Sequence, residues 1–164
     1  TPTEQGTYTD LRSAWRYVTT RLNYRPGEII LMGRSLGGAV TAEIAMEVTP
    51  GGVILESTFT SMPDLAAGIY WYLPVRLLIR FSYDTLSKLR HFKAPLLVIH
   101  STEDELIPFA HGRRIYQQAS PPKEFHAIRG SHNRGFLTSG HSYTQKLRAF
   151  FARTDMARAD EGKN

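Results

Sequence analysis

The fold is decided by one stretch of the sequence, Ile29-Ile30-Leu31-Met32-Gly33-Arg34-Ser35-Leu36-Gly37-Gly38. Its first half is an apolar run typical of a β-strand, and its second half is a G-x-S-x-G pattern. Residues 39–46, which have a composition typical of a helix, follow at once. Strand, turn and helix in this order are what a nucleophile elbow requires. The sequence therefore predicts a sharp turn that presents Ser35 at the end of a strand.

Two glycines flank this serine at positions 33 and 37. Side chains two residues before and two residues after the serine would clash in so sharp a turn, and glycine also permits strained backbone angles. The amide N–H of Leu36, at the helix N-terminus, is predicted to point to where an oxyanion would form. The alternative interpretation of these five residues alone is a glycine-rich strand–helix turn in which Ser35 is an ordinary capping serine.

Length and composition limit the class of protein. A chain of 164 residues suggests one domain, and a formal net charge of +5 suggests a mildly basic surface. The positive charges are spread along the chain, so no nucleic-acid partner is expected. Five of them could nevertheless form a patch, Arg76, Arg80, Lys88, Arg90 and Lys93. The absence of cysteine excludes disulfides and thiolate chemistry.

Hydropathy bears on where the protein works. The sequence has no run of 18 apolar residues, which predicts that no segment spans a membrane. No signal peptide is visible. The first residue is Thr1, which is compatible with a longer parent chain. We expect a cytoplasmic location, with membrane association possible in such a parent chain.

Strand-like and helix-like segments alternate along most of the chain. Four strands are predicted, at residues 28–32, 53–56, 95–100 and 123–128. Thr7 and Asp10 read as a capping box for a first helix, and later helices are predicted at 39–48, 109–119 and 141–153. This alternation predicts an α/β fold, a mostly parallel sheet with helices on both faces. The domain should span 1–153, and 154–164 should be a frayed polar tail.

Residues 57–92 lack this alternation and are predicted to form a small helical lid. Ser61 is expected to cap its first helix, and two strongly apolar stretches follow. Ordinary core helices explain the composition equally well. If the segment is a lid, it would suit an acyl chain and could contact a membrane surface. Its predicted substrate-binding residues are Leu73, Leu77 and Phe81.

A serine hydroxyl is a poor nucleophile unless a base takes its proton and a third group orients that base. In a parallel sheet such groups lie beyond the carboxyl ends of the strands. Asp104 follows the third predicted strand and His132 follows the fourth. Their order after Ser35 is the order of nucleophile, acid and base in one large group of hydrolases.

His132 is the preferred base because it alone lies in a glycine-flanked loop just past a strand. His100 is expected to hold residues 101–108, the acidic loop, in place. Structural roles are expected for the other histidines, His91, His111, His126 and His141. Glu103 and Glu105 compete with Asp104 but read as solvated loop charges. No H-x-x-x-H or H-x-H spacing occurs, so no metal is predicted.

Together these motifs resemble the Bem46-like branch of the α/β-hydrolases. The segments that carry the resemblance are residues 33–38, 56–61, 100–108 and 130–133. The resemblance implies Ser35 as nucleophile, His132 as base and Asp104 as its orienting carboxylate. It implies hydrolysis of small-molecule esters or thioesters through an acyl-enzyme, with no cofactor. Ser101 departs from the pattern, since relatives usually have glycine after the preceding histidine.

A second departure is an absence. In this fold, two or more strands and a loop that supplies the second oxyanion N–H precede the first helix seen here. The resemblance thus predicts an N-terminally truncated hydrolase whose strand 28–32 lacks one neighbour. We expect that edge to pair in a homo-oligomer, with a separate N-terminal segment, or by segment exchange.

Three functions remain open at this point. A carboxylesterase or acyl thioesterase is favoured by the predicted triad. A serine peptidase of the same fold is the nearest alternative among enzymes. A non-catalytic interaction module that keeps the fold without turnover is the alternative from another class.

Overall fold

The computed structural model describes residues 3–69 and 80–161. Its centre is a sheet of four parallel strands in the order β1-β2-β3-β4. The strands are β1 (Ile30–Arg34), β2 (Gly52–Glu56), β3 (Leu96–Ser101) and β4 (Lys123–Ile128). The helices are α1 (Glu4–Thr20), α2 (Leu36–Glu47), α3 (Met62–Ile69), α4 (Phe109–Gln118), α5 (Gly135–Thr138) and α6 (Gly140–Glu161), with 3₁₀ turns at Pro26–Glu28 and Leu86–His91.

The buried side chains of the strands form one core on each face of the sheet. Leu31, Val53 and Val98 pack on the face that α1, α2 and α4 cover. Ile54 and Leu97, both fully buried, pack on the opposite face against Phe150 and its neighbours on α6. Successive strand residues point to opposite faces, so near-continuous apolar strands need cover on both sides. The predicted parallel sheet with helices on both faces is confirmed.

Strand positions agree with the prediction to within two residues. The largest shift is in β1, which runs two residues further toward the serine than predicted. The cause is the 3₁₀ turn at Pro26–Glu28, which occupies the predicted start of the strand. As a result Arg34, not Met32, is the last residue of β1 and lies opposite Glu56 of β2.

The predicted start of the first helix is wrong. Helix α1 begins at Glu4, and Thr3 is its N-cap, whose side chain accepts a hydrogen bond from the Gly6 N–H at 3.0 Å. Thr7 lies in the first turn, and its hydroxyl donates to the carbonyl of Glu4. The capping box predicted at Thr7 and Asp10 therefore does not form, because Thr3 already supplies the cap.

The predicted frayed tail is wrong as well. Helix α6 continues without a break through Glu161. Thr154, the first residue of the predicted tail, is 7% exposed, and its hydroxyl donates to the carbonyl of Phe151. Thr154 packs against Gly52 at the start of β2, so the first residue of the predicted tail is docked on the sheet.

The region predicted as a lid is described in part. Ser61 caps α3 as predicted, since its hydroxyl accepts a hydrogen bond from the Asp64 N–H at 3.2 Å. Leu73 and Leu77 lie outside the described residues. Phe81 is 43% exposed, and its ring centroid lies 6.1 Å from that of Tyr83.

The sequence predicted a possible basic patch on the surface and no segment that spans a membrane. Lys88 belongs to no open basic patch, because its side chain is largely buried and pairs with Glu43 at 2.5 Å. Arg76 lies outside the described ranges. Within 3–69 and 80–161, none of the helices has both the length and the apolar character that crossing a membrane requires.

Candidate active site

The turn after β1 holds Ser35 in a strained backbone conformation. Its φ is 54° and its ψ is −125°, a combination that non-glycine residues rarely adopt. Gly33 makes the turn possible, because a Cβ there would lie 2.3 Å from the Gly37 carbonyl oxygen and 2.4 Å from Thr41 Oγ1. The strain is thus carried by the serine itself, and the close approach is at Gly33.

Gly37 differs from the sequence prediction. A Cβ at Gly37 would meet nothing within 4 Å, so no clash requires glycine there. The third glycine of the segment is the constrained one, since a Cβ at Gly38 would lie 2.5 Å from Thr58. Thr58 also donates its hydroxyl hydrogen bond to the Ser35 carbonyl at 2.7 Å, which fixes the turn to the segment after β2.

Leu36 is the first residue of α2, so the helix supplies no acceptor for its amide N–H. The residue is 41% exposed, and its amide lies next to the serine at the positive end of the helix dipole. These are the conditions under which a backbone N–H can stabilise a developing oxyanion. The placement is compatible with the predicted role of Leu36, which stays a prediction.

Ser35, His132 and Asp104 lie together at the carboxyl end of the sheet. His132 Nε2 is 3.0 Å from Ser35 Oγ. His132 Nδ1 lies 2.8 Å from Asp104 Oδ2 and 3.0 Å from Oδ1. Because a carboxylate only accepts hydrogen bonds, Nδ1 carries the proton and Nε2 is free to accept from the serine hydroxyl. The three side chains form an unbroken hydrogen-bonded series.

Asp104 is held rigidly beneath the imidazole. Its side chain is fully buried, and Oδ1 also accepts hydrogen bonds from the amides of Leu106 and Ile107. His100 supports the same loop by donating from Nε2 to the Ile107 carbonyl at 2.9 Å. Burial lowers the pKa of His100 and so favours the neutral ring, whose proton lies on Nε2 because the Ile107 carbonyl can only accept. The expectation that His100 pins the acidic loop agrees with this contact.

The two glutamates beside Asp104 do more than the sequence suggested. Both are exposed, but Glu103 accepts a hydrogen bond from the Gly130 N–H at 2.9 Å, and Glu105 accepts one from the His132 N–H at 2.8 Å. The interpretation as solvated loop charges is incomplete, because these exposed carboxylates also bind the backbone of residues 129–134, the histidine loop. Sequence spacing gave no sign of these contacts, which depend on how two loops fold against each other.

Arg34 and Glu56 also lie in the site, and sequence reasoning gave neither a role there. Arg34 Nη2 donates to the carbonyl oxygen of His132 at 2.6 Å. Arg34 Nε lies 3.6 Å from Oε1 of Glu56, whose side chain is 3% exposed. A usable signal was present in the sequence, since Glu56 is the one charged residue in an otherwise apolar strand.

The cavity described near the candidate site does not bear on the predicted acyl pocket, which stays a prediction. A cavity of about 580 Å³ lies beside α3, and its lining is almost entirely polar or charged. None of Ser35, Asp104, His132 and Phe81 lines it. In the described part of the chain, no three His, Asp or Glu side chains are placed to hold a metal ion.

Comparison with known sequences identifies relatives. An uncharacterized protein of Mycobacterium tuberculosis is 31% identical over 154 residues, which are 93% of this chain and 55% of that protein. The human alpha/beta hydrolase domain-containing protein 17B is 29% identical over 154 residues, covering 91% of this chain and 50% of that protein. The chain thus spans about half the length of the curated relatives it matches. No model of a known protein family matches it.

Solved structures show the same fold at lower identity. An esterase of Pyrococcus furiosus superposes with a TM-score of 0.72 and 18% identity, covering 89% of this chain and 61% of that structure. Similar structures include peptidases as well as esterases. At such identities the likeness shows the fold and leaves the choice of substrate open.

Proposed function

We propose that the chain is a member of the α/β-hydrolase superfamily and a serine hydrolase that cleaves carboxylic esters or thioesters through an acyl-enzyme on Ser35, supported by its relatives and by the fold it shares with them. The observation that carries the proposal is the hydrogen-bonded series from Asp104 through His132 to Ser35 Oγ. Such a series activates a hydroxyl that is otherwise a weak nucleophile.

In the first half of the proposed reaction, Ser35 Oγ attacks the substrate carbonyl carbon while His132 Nε2 takes the hydroxyl proton. The tetrahedral intermediate places its negative charge on the former carbonyl oxygen, where the Leu36 N–H can donate to it. His132 then gives its proton to the leaving alcohol or thiol, and the acyl group remains on Ser35. Throughout, Asp104 stabilises the imidazolium and keeps the ring oriented.

In the second half, a water molecule replaces the leaving group. His132 Nε2 takes a proton from the water, whose oxygen attacks the acyl carbonyl. Collapse of the second tetrahedral intermediate breaks the bond to Ser35 Oγ, and His132 returns the proton to the serine. The carboxylic acid leaves, and every group regains its starting protonation state without a cofactor.

The test is hydrolysis of p-nitrophenyl esters by the purified chain. Ser35→Ala should abolish turnover and leave the fold intact, since a single half-exposed hydroxyl contributes little to packing. Ser120→Ala is the matched control, because it makes the same chemical change in an exposed turn outside the site. Turnover that survives Ser35→Ala would refute the proposal, and a folded chain without any turnover would favour the interaction module.

Substrate preference is a separate part of the proposal. If Leu73, Leu77 and Phe81 line an acyl pocket, each added methylene should improve binding about fourfold until the pocket is full, which corresponds to ~0.8 kcal/mol. The profile is measured as kcat/KM for esters from acetate to octanoate. A flat profile that Leu77→Ala leaves unchanged would remove these residues from the site, and cleavage of peptide amides in preference to esters would favour the peptidase.

A further inference from the structure

We propose that Arg34, held in place by Glu56, is a positioning residue that fixes the backbone of His132 against the strand that carries the nucleophile. The inference rests on the proposed function, because it concerns how the base of that reaction is oriented. Arg34 immediately precedes Ser35 and ends β1, so its backbone is part of the same turn. A contact from its side chain to the histidine loop therefore ties nucleophile and base to one rigid element.

The guanidinium group joins two parts of the chain that are almost one hundred residues apart. Arg34 Nη2 donates to the His132 carbonyl oxygen at 2.6 Å and to Asn133 Oδ1 at 3.0 Å. The centre of the guanidinium lies 5.6 Å from the ring centroid of Phe136, on the helix that follows this loop. The two N–H groups of Nη2 thus bind the loop that carries His132, and the planar face of the guanidinium lies against the helix that follows it.

Glu56 forms an ion pair with the other side of the guanidinium, although Arg34 Nε makes no hydrogen bond in the described part of the chain. It is the register partner of Arg34 across the β1–β2 pair, and its Oε1 lies 3.6 Å from Arg34 Nε. Its second oxygen accepts a hydrogen bond from the Tyr143 hydroxyl at 2.6 Å. Tyr143 lies on α6, so the buried carboxylate is fixed by a helix on one side and by the arginine on the other. A buried charge of this kind is retained only when such partners compensate it.

The contacts of His132 show why this matters for the base. Its N–H is held by Glu105, its carbonyl by Arg34 and its imidazole by Asp104. Of these three contacts, the hydrogen bond from Arg34 to the His132 carbonyl is made by a residue of β1, the strand that leads into Ser35. Without it, the side-chain contact with the His132 backbone that remains among the described ones comes from Glu105 in the acidic loop. Displacement of a reacting group by about 1 Å can lower a catalytic rate roughly 100-fold.

The experiment uses three variants of the full chain. Arg34→Lys keeps the positive charge but replaces the planar guanidinium with a compact ammonium group. The ammonium cannot contact Glu56 and the His132 carbonyl at the same time. Glu56→Gln removes the carboxylate charge and keeps an acceptor for Tyr143. Arg134→Lys is the matched control, because it makes the same exchange at an exposed position of the same loop.

Two quantities are measured for each folded variant. The first is kcat and KM for an ester, normalised by active-site titration. We expect Arg34→Lys to lower kcat roughly 10- to 100-fold and to leave KM within about twofold, since orientation of the base is lost and substrate contacts are not. The second is the low-field proton NMR signal of His132 Nδ1–H, which reports the bond to Asp104. It should broaden or vanish in Arg34→Lys and Glu56→Gln and persist in Arg134→Lys.

The outcomes separate this inference from the proposed function. An Arg34→Lys variant with unchanged kcat and unchanged NMR signal overturns the inference, and an unchanged Glu56→Gln removes Glu56 from it. If the wild-type chain hydrolyses no ester but its NMR signal responds to Arg34→Lys, the proposed function fails and the positioning role stands. If Arg34→Lys does not fold, Tyr143→Phe replaces it; a several-fold loss of kcat with a broadened signal supports the inference, and no change overturns it.

Discussion

Two parts of strand β1 differ in their surroundings. Its carboxyl end, Gly33 and Arg34, is crowded, and its outer edge, which has no neighbouring strand in the described part of the chain, is open. At the carboxyl end, Gly33 approaches the Gly37 carbonyl so closely that no Cβ fits, and Arg34 contacts both β2 and the histidine loop. On the outer edge, β1 is the terminal strand of the sheet in the described part of the chain. Met32 is 48% exposed there.

The difference shows where the geometry of the site comes from. The described contacts that fix Ser35 and Arg34 are made toward β2, toward helices α2 and α5 and toward the loops beyond the strands, and none of them crosses the outer edge of β1. The candidate site should therefore respond strongly to changes at the crowded end and weakly to changes at the edge.

The largest loss of kcat is expected from a substitution in the acidic loop, which carries Asp104. Asp104→Asn should lower kcat by roughly 10⁴, because an amide that donates to Nδ1 favours the wrong tautomer of His132. Glu105→Gln, which removes one charge from the same loop, should have a much smaller effect on kcat. If Glu103→Gln or Glu105→Gln did the greater damage, the carboxylate assignment would be wrong. Steady-state kinetics on all three variants measure this.

The next effect contrasts two neighbouring residues of β1. Gly33→Ala should lower the free energy of unfolding by about 1–3 kcal/mol or more, because its Cβ would overlap the Gly37 carbonyl oxygen. Met32→Ala should change it by less than about 1 kcal/mol, since the side chain is half exposed. Urea denaturation measures both. Equal losses of stability would contradict the contrast between end and edge.

The positions of the strands were predictable because the apolar pattern of each segment indicates a strand by itself. Runs such as residues 95–100 are apolar without alternation, and this pattern alone predicts a strand covered on both faces. The start of α1 was not predictable with the same certainty, because Thr3 and Thr7 both offer a plausible cap. The tertiary contacts of this end of the helix are not visible in the sequence, since the Glu4 carboxylate in the first turn accepts hydrogen bonds from the Ser82 and Tyr83 N–H groups.

The candidate site shows the same limit. Spacing brought Ser35, Asp104 and His132 to one edge of the sheet, because parallel strands all end there. The contacts of Glu105 and Arg34 with the histidine loop depend on loop conformation and on the register of β1 with β2. Neither quantity is encoded in a local pattern, so these residues could be recognised only in the structure.

A smaller effect is expected from the buried histidine behind the acidic loop. Burial lowers the pKa of His100 in the folded chain, so below about pH 6.5 the unfolded chain binds the additional proton. Stability should therefore fall as pH drops below that value, by at most about 1.4 kcal/mol per pH unit for this group. His100→Gln keeps a donor for the Ile107 carbonyl and should flatten the slope. An unchanged slope between pH 7 and 5 would assign it to other groups, such as His111 and His126.

The smallest effect per residue is expected at the open edge. We propose that this edge of β1 pairs with a second copy of the chain, since unpaired strand edges beside exposed apolar side chains promote association. Light scattering after size exclusion should then show a dimer at micromolar concentration, and Met32→Lys should shift it toward monomer. A wild-type monomer with full stability and activity would refute the pairing.

If the proposed function is right, the crowded end of β1 carries an activated serine. The most direct measurement is labelling of the folded chain with a fluorophosphonate, followed by mass spectrometry of its peptides. We expect one phosphonylated residue, Ser35, with labelling lost in Ser35→Ala and strongly slowed in His132→Gln. A folded wild-type chain that takes up no label, or takes it up at another residue, would contradict it.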